Sequence, residues 1–183
     1  MVGTASAMPV DIIFETHAIS EDNERDIATG WLPGRLSDRG RALARDLGAR
    51  HRDDGLAAVF SSDLARAIET AQIAFARTEL PIRADPRLRE CDYGALNGAG
   101  VGHLAPRSRF ITTPFAGGES YHDVVERVRD FLGDLAPYDG RRILVIGHSA
   151  TRWALEHLLA GRVLEDLVDA PFAWQPGWLF RKT

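Results

Sequence analysis

A chain of 183 residues is about one domain on a prior of roughly 150 residues each, and 45% hydrophobic with 26% charged residues is ordinary for a globular protein. A formal charge of −4 gives no electrostatic footprint for nucleic acid or an anionic membrane, and a single cysteine, Cys91, excludes an intrachain disulfide and a multi-cysteine metal site. No apolar run approaches the roughly 20 residues of a membrane span, so a cytoplasmic protein is expected, with a small molecule rather than nucleic acid or membrane as partner and its oligomeric state left open.

The first nine residues, small and uncharged, read as a flexible leader ahead of one domain that takes the rest of the chain. Ile12-Ile13-Phe14 is a β-branched and aromatic run, the mark of a buried strand, and polar Glu15-Thr16-His17 ends it abruptly. Residues 21–34 carry turn chemistry around Gly30-Trp31-Leu32-Pro33-Gly34 and read as a long loop. Ser37 is placed to cap a helix from Asp38, with Leu43 and Leu47 one turn apart. Residues 57–60 predict a second strand, and Ser61-Ser62-Asp63 opens a helix whose inner face is Leu64, Ile68, Ala71 and Phe75. Arg66 lies one turn into it and, because side chains lean toward a helix's amino end, points back to the strand edge.

Residues 81–84 suggest a third strand. Residues 98–118, rich in Gly, Pro and Arg, read as a lid or loop with at most one helical turn. From Glu119 an unbroken stripe of Tyr121, Val124, Val125, Val128, Phe131, Leu132 and Leu135 predicts a helix. Ile143-Leu144-Val145-Ile146 repeats the opening pattern, ending at Gly147-His148-Ser149, and a helix with Trp153, Leu155 and Leu158 follows. A short helix over 163–168 and an edge strand within 172–180 complete the chain. Strands alternating with helices predict an α/β fold, a three-layer α/β/α sandwich with a mostly parallel central sheet. Right-handed crossovers then bring His17, Ser62 with Arg66, Glu90 and His148 to one sheet edge.

Two imidazoles, a guanidinium and a carboxyl group suit phosphoryl transfer. A neutral imidazole can attack phosphorus and form a covalent intermediate. Arg66 offers a fork of donors matched to phosphate oxygens, and a protonated His148 would stabilise the transition-state oxygens. Glu90, protonated when substrate binds, would give its proton to the leaving alkoxide, a state that the substrate's own negative charge favours. The scheme needs no cofactor and no metal.

These blocks resemble the histidine phosphatase superfamily, in its phosphoglycerate-mutase-like branch. The resemblance runs through Thr16-His17-Ala18-Ile19-Ser20 with Asn23, Leu36-Ser37-Asp38-Arg39-Gly40, Ser61 to Ala67, Leu88-Arg89-Glu90 with Tyr93 to Gly98, Gly117 to Tyr121, and Gly147-His148-Ser149. It implies that His17 is the nucleophile that becomes phosphohistidine. Arg66, His148 and Asn23 would bind the phosphoryl group, and Glu90 would serve as acid and later base. Thr16, Ser20, Tyr93 and Ser149 complete the expected phosphate- and substrate-binding set.

Two departures stand out. Thr16 occupies the place of a family arginine that contacts phosphate, and losing one preorganised contact of that kind costs about 3–4 kcal/mol, a hundred- to thousandfold in rate. Arg25, Arg35 or Arg152 are the candidates to replace that cation. Ala18 replaces a glycine and is expected to tighten the turn behind His17. The resemblance also implies a phosphomonoesterase acting on a small metabolite rather than a mutase, because residues 98–118 leave no room for a mutase insertion. The runner-up is a binding protein that kept the pocket and lost turnover with the arginine; a metal hydrolase using His17 and His148 as ligands ranks lower. Glu15, Glu69 and Asp92 are alternatives to Glu90 as the acid. His51, His103, His122 and His157 read as surface or packing residues, and Arg107 and Arg109 as solvated loop charges before receivers of an anionic tail.

Overall fold

The computed structural model describes residues 8–183; most of the expected leader, residues 1–7, lies outside the described residues. A five-stranded sheet runs in the order β4 (Ile82–Ala84), β3 (Leu56–Ser61), β6 (Arg142–Gly147), β1 (Val10–Thr16), β7 (Trp178–Lys182). The first four strands are parallel, and β7 closes one edge antiparallel to β1. Helices α2 (Asp38–Arg50) and α3 (Ala65–Ala74) pack together, as do α4 (Tyr121–Gly133) and α5 (Ser149–Ala160). The expected three-layer α/β architecture is what forms.

Period-2 alternation explains why the central strands read as continuous apolar runs. Ile12 and Phe14 of β1, with Ile143 and Val145 of β6, bury into the core under α4 and α5. Ile13, Leu144 and Ile146 bury on the opposite face against α3. A strand covered on both sides has no polar face to show. The α4 stripe is buried at each position that the sequence marked, Tyr121 through Leu132, and each large side chain removed from water contributes about 1.5–3 kcal/mol.

Several local expectations shift. Residues 21–34 hold a one-turn helix, α1 (Glu21–Glu24), and a two-residue strand, β2 (Ile27–Ala28), which pairs with β5 (Ala99–Gly100). The α3 helix starts at Ala65, later than Ser61-Ser62-Asp63 implied, because Ser62 spends its hydroxyl on the Leu64 N–H at 3.2 Å and its backbone N–H on the Ile146 carbonyl. Residues 98–118 are a packed loop with two 3₁₀ turns, Val101–Leu104 and Arg107–Phe110; Leu104 and Phe115 are core residues, and Phe110 stacks on Phe115 at 3.8 Å. The late helix contracts to a 3₁₀ turn, Leu164–Asp166, and the edge strand starts only at Trp178.

The segment after β1 is seated on the start of α2. Ser37 caps α2 by accepting the Gly40 N–H at 3.1 Å, and a Cβ at Gly40 would collide with the Ile19 carbonyl. Gly40→Ala is therefore expected to cost about 1–3 kcal/mol, whereas Gly133→Ala, with open space around it, is expected to be neutral or to stabilise by up to ~1 kcal/mol. Urea unfolding of the two variants measures the contrast.

Candidate active site

Parallel pairing sets the site. Thr16 lies opposite Gly147, so His17 and His148 leave adjacent strands at the same level, and the His17 N–H extends the ladder to the Gly147 carbonyl at 2.9 Å. The two rings stand 5.0 Å apart, centroid to centroid. The Arg66 guanidinium, from the first turn of α3, reaches a nitrogen of each ring. Its Nε–H points at His17 Nε2 (3.3 Å), and one terminal nitrogen reaches His148 Nδ1 (3.4 Å) and the Gly30 carbonyl (2.9 Å).

Protonation states follow from these bonds. His17 Nδ1–H donates to the Ala18 carbonyl at 2.7 Å, which leaves the lone pair on Nε2. Burial, and secondarily the Arg66 charge, lower the His17 pKa to about 3. Burial, Arg66 and His17 push His148 well below its usual range as well. The protonated His148 expected from the sequence is thus neutral here. Because Arg66 can only donate, His148 Nδ1 accepts and its Nε2 carries the hydrogen. That Nε2 is buried with no acceptor.

Glu90 completes the set. Its Oε1 accepts the Cys91 N–H (2.8 Å) and the Ala150 N–H at the amino end of α5 (3.2 Å). Its backbone carbonyl accepts Trp31 Nε1–H (2.7 Å) and an Arg127 N–H (2.9 Å). Arg127 also bonds the Arg87 and Arg89 carbonyls and both oxygens of Glu119. Arg127 and Trp31 are positioning residues that sequence reasoning missed; an arginine among the apolar positions of α4, eight residues after Glu119, was the available signal. The alternatives to Glu90 are spent elsewhere: Glu15 on Arg50 and His51, Glu69 on Leu36 and Arg41, Asp92 on Gly94 and Asn97.

Two adjoining cavities of about 380 and 550 Å³ share His17, Asn23, Glu90, Ser149 and Phe172. The smaller adds Arg66 and Tyr93, and the larger adds Thr16, Arg39 and His148. Asn23 Oδ1 accepts the Ser20 N–H and hydroxyl, leaving its amide nitrogen for a ligand. Ser20 does not join the set: it is fully buried, its hydroxyl caps α1, and it lines neither cavity. Ala18 needs no glycine-like backbone, since Asp26 is the one non-glycine residue with positive φ among those described. Of the arginines offered in place of a cation at 16, Arg25 and Arg35 are exposed, pair with Asp22 and Glu21, and line neither cavity. Arg152 lines the smaller cavity, and Arg39, which the sequence did not single out, lines the larger one beside Thr16. A guanidinium bonded to both imidazoles also disfavours a cation bridging them, and no group of three or more His, Cys, Asp or Glu among the described residues is placed to hold a metal.

A family model for the histidine phosphatase superfamily (branch 1) matches residues 12–173. The chain belongs to that superfamily. It is 35% identical to a 2,3-bisphosphoglycerate-dependent phosphoglycerate mutase of Azorhizobium caulinodans, over 93% of this chain and 91% of that protein. Among solved structures, a mycobacterial glucosyl-3-phosphoglycerate phosphatase in complex with VO3 is 26% identical with a TM-score of 0.74, over 88% of this chain and 86% of that one. A protein of Thermus thermophilus is 31% identical with a TM-score of 0.69, over 84% of this chain and 87% of that one. The family thus holds phosphatases and mutases.

The buried histidines titrate in opposite directions. Burial opposes charge on His51, but hydrogen bonds to Glu15 and Asp54, 2.7 Å each, outweigh it and hold its pKa above 6.5. Its stabilising contribution is complete below pH 6.5 and is lost as pH rises through the raised value. Nitrogen-15 NMR is expected to show His17 neutral down to about pH 4 and His51 charged above its ordinary range. His51→Gln is expected to remove the matching loss of stability on the alkaline side, read by thermal melts against pH.

Proposed function

We propose that the protein is a phosphomonoesterase that hydrolyses a small phosphorylated metabolite through phosphohistidine on His17. The supporting observation is Arg66: 2% exposed, it has two imidazoles and backbone carbonyls as hydrogen-bond partners and no carboxylate. A buried cation with no carboxylate hydrogen-bonded to it, beside an imidazole N–H without an acceptor, favours an anion.

In this reading Arg66 and His148 Nε2–H hold the phosphoryl oxygens, with Asn23 and Ser149 at the cavity wall. The His17 Nε2 lone pair, released as the phosphoryl oxygens take over the Arg66 Nε–H, forms the N–P bond as the P–O ester bond breaks, and Glu90 hands its proton to the departing oxygen. Water then attacks phosphorus, giving its proton to Glu90, and the N–P bond breaks to release phosphate and free His17. Tyr93 bounds the leaving-group side. The chemistry uses no cofactor, and the working compartment is the cytoplasm.

Thr16 favours a second reading, in which the pocket binds a phosphorylated ligand without turnover. A screen of phosphate esters with wild type and His17→Ala separates the two. Labelled phosphate on His17, with at least a thousandfold loss of turnover in His17→Ala, is expected for the enzyme; binding without label or release supports the second reading. Thr16→Arg is expected to raise kcat/KM by about tenfold or more. Unchanged turnover would mean that another cation, with Arg39 in the same cavity, already fills that role.

A further inference from the structure

The larger cavity leaves the catalytic centre past Thr16 and runs along α2. Its α2 wall is Arg39, Leu43, Leu47 and Arg50, spacings of four, four and three that put all four side chains on one face of the helix. Another wall is Phe172 and Trp174, from residues 171–177, an irregular stretch that leads into β7. Both rings are more than half exposed, at 55% and 58%. Among the described residues, 171–176 make no hydrogen bond to any other element, and Gln175 bonds only to Gly177. Two guanidinium groups seat the stretch instead: Arg152 stands 5.6 Å from the Phe172 centroid and Arg50 5.6 Å from that of Trp174. Arg50 is itself fixed and neutralised by buried Glu15 at 2.9 Å.

Large aromatic side chains held in place yet left uncovered forgo apolar burial that a ligand can supply. Here they stand uncovered in the wall of a cavity that also contains His17, His148 and Glu90. Glu90, the donor to the departing oxygen, lines both cavities, so the organic body of an ester can extend from it into either. Thr16 favours the larger. It lines that cavity alone of the two, and the longer arginine whose place it takes would project into the same space. We infer that the larger cavity is the subsite for the organic part of the substrate, and that this part is an uncharged aromatic group lying against the α2 leucines and the Trp174 ring. The inference rests on the reading of His17 as a phosphomonoester site. A volume of about 550 Å³ suits a small-molecule pocket walled by aliphatic and aromatic side chains. The absence of arginine at position 16 is then what opens the subsite.

The test compares three phosphate esters of primary alcohols, which hold the anion and the leaving-group chemistry fixed: n-propyl, 3-phenylpropyl and 6-hydroxyhexyl phosphate. Wild type is expected to favour the phenylpropyl over the propyl ester by about tenfold or more in kcat/KM, chiefly through KM, with the hydroxyhexyl ester close to propyl. Trp174→Ala is expected to bring that ratio close to one, whereas Trp174→Phe, which keeps a ring beside Arg50, retains most of it. Thr16→Arg is expected to lower the ratio by occupying the cavity, even as it speeds the propyl ester. A preference that survives both Trp174→Ala and Thr16→Arg would place the ring in the smaller cavity and overturn the inference. Calorimetric binding of the same esters to His17→Ala reads the preference without turnover, and melts confirm that each variant is folded. Equal affinity and equal kcat/KM for the propyl and phenylpropyl esters would also overturn it, while leaving phosphatase activity intact. A retained binding preference with no hydrolysis of any ester would instead sink the phosphatase reading and support this one.

Discussion

A guanidinium taken almost out of water has to be surrounded by acceptors, and what surrounds Arg66 determines the rest of the site. Its Nε–H and terminal nitrogens reach His17 Nε2, His148 Nδ1 and the Gly30 carbonyl. The cation thereby fixes both imidazoles as neutral acceptors on the sides that it faces. It holds the His17 Nε2 lone pair on its own Nε–H, leaves the His148 Nε2–H without an acceptor, and adds local positive charge that an oxyanion would relieve. The loop at Gly30, the turn behind His17 and the first turn of α3 are all held to the geometry of that one side chain. Carboxylate neutralisation would have made Arg66 a more comfortable buried residue, at the expense of its attraction for phosphate.

Around this centre the supporting bonds are mostly to backbone. The Thr151 hydroxyl accepts the His148 N–H (3.3 Å) and donates to the Leu88 carbonyl (2.9 Å), tying the entry of α5 to the segment that carries Glu90. Arg127 gathers three carbonyls of that same segment. Arg89 forks onto Asp63 with two 2.7 Å bonds and lies 4.6 Å above the Trp31 ring. The carboxyl of Glu90 is thus carried by an irregular stretch made rigid from several directions, as expected of a functional loop on a fixed scaffold.

The elements legible in the sequence are those whose signal is local. β1 and β6 announce themselves by apolar runs ended by polar residues, α4 by its stripe, and α2 by the Ser37 cap. His17, Arg66, Glu90 and His148 stand out because each follows a strand or opens a helix at such a boundary. What stays hidden depends on long-range partners. Nothing near His51 in the sequence reveals Glu15, its partner across the fold, and a loop arginine such as Arg107 looks solvated until Asp169, 62 residues on, pins its turn. Ser20 shows the opposite failure: its spacing to Asn23 suits a ligand contact and a helix cap equally well, and burial decides for the cap.

The pairing of Thr16 with Gly147 makes the sheet a ruler. Neighbouring strands stand about 4.8 Å apart, and the two rings projecting from their ends are separated by 5.0 Å. The gauge between the imidazoles is set first by the peptide ladder and then by the Arg66 bonds to both rings. Mutational drift on the helices or in residues 98–118 can recontour the far wall while that gauge stays constant. A one-residue insertion in either strand, by contrast, would throw the imidazoles out of step.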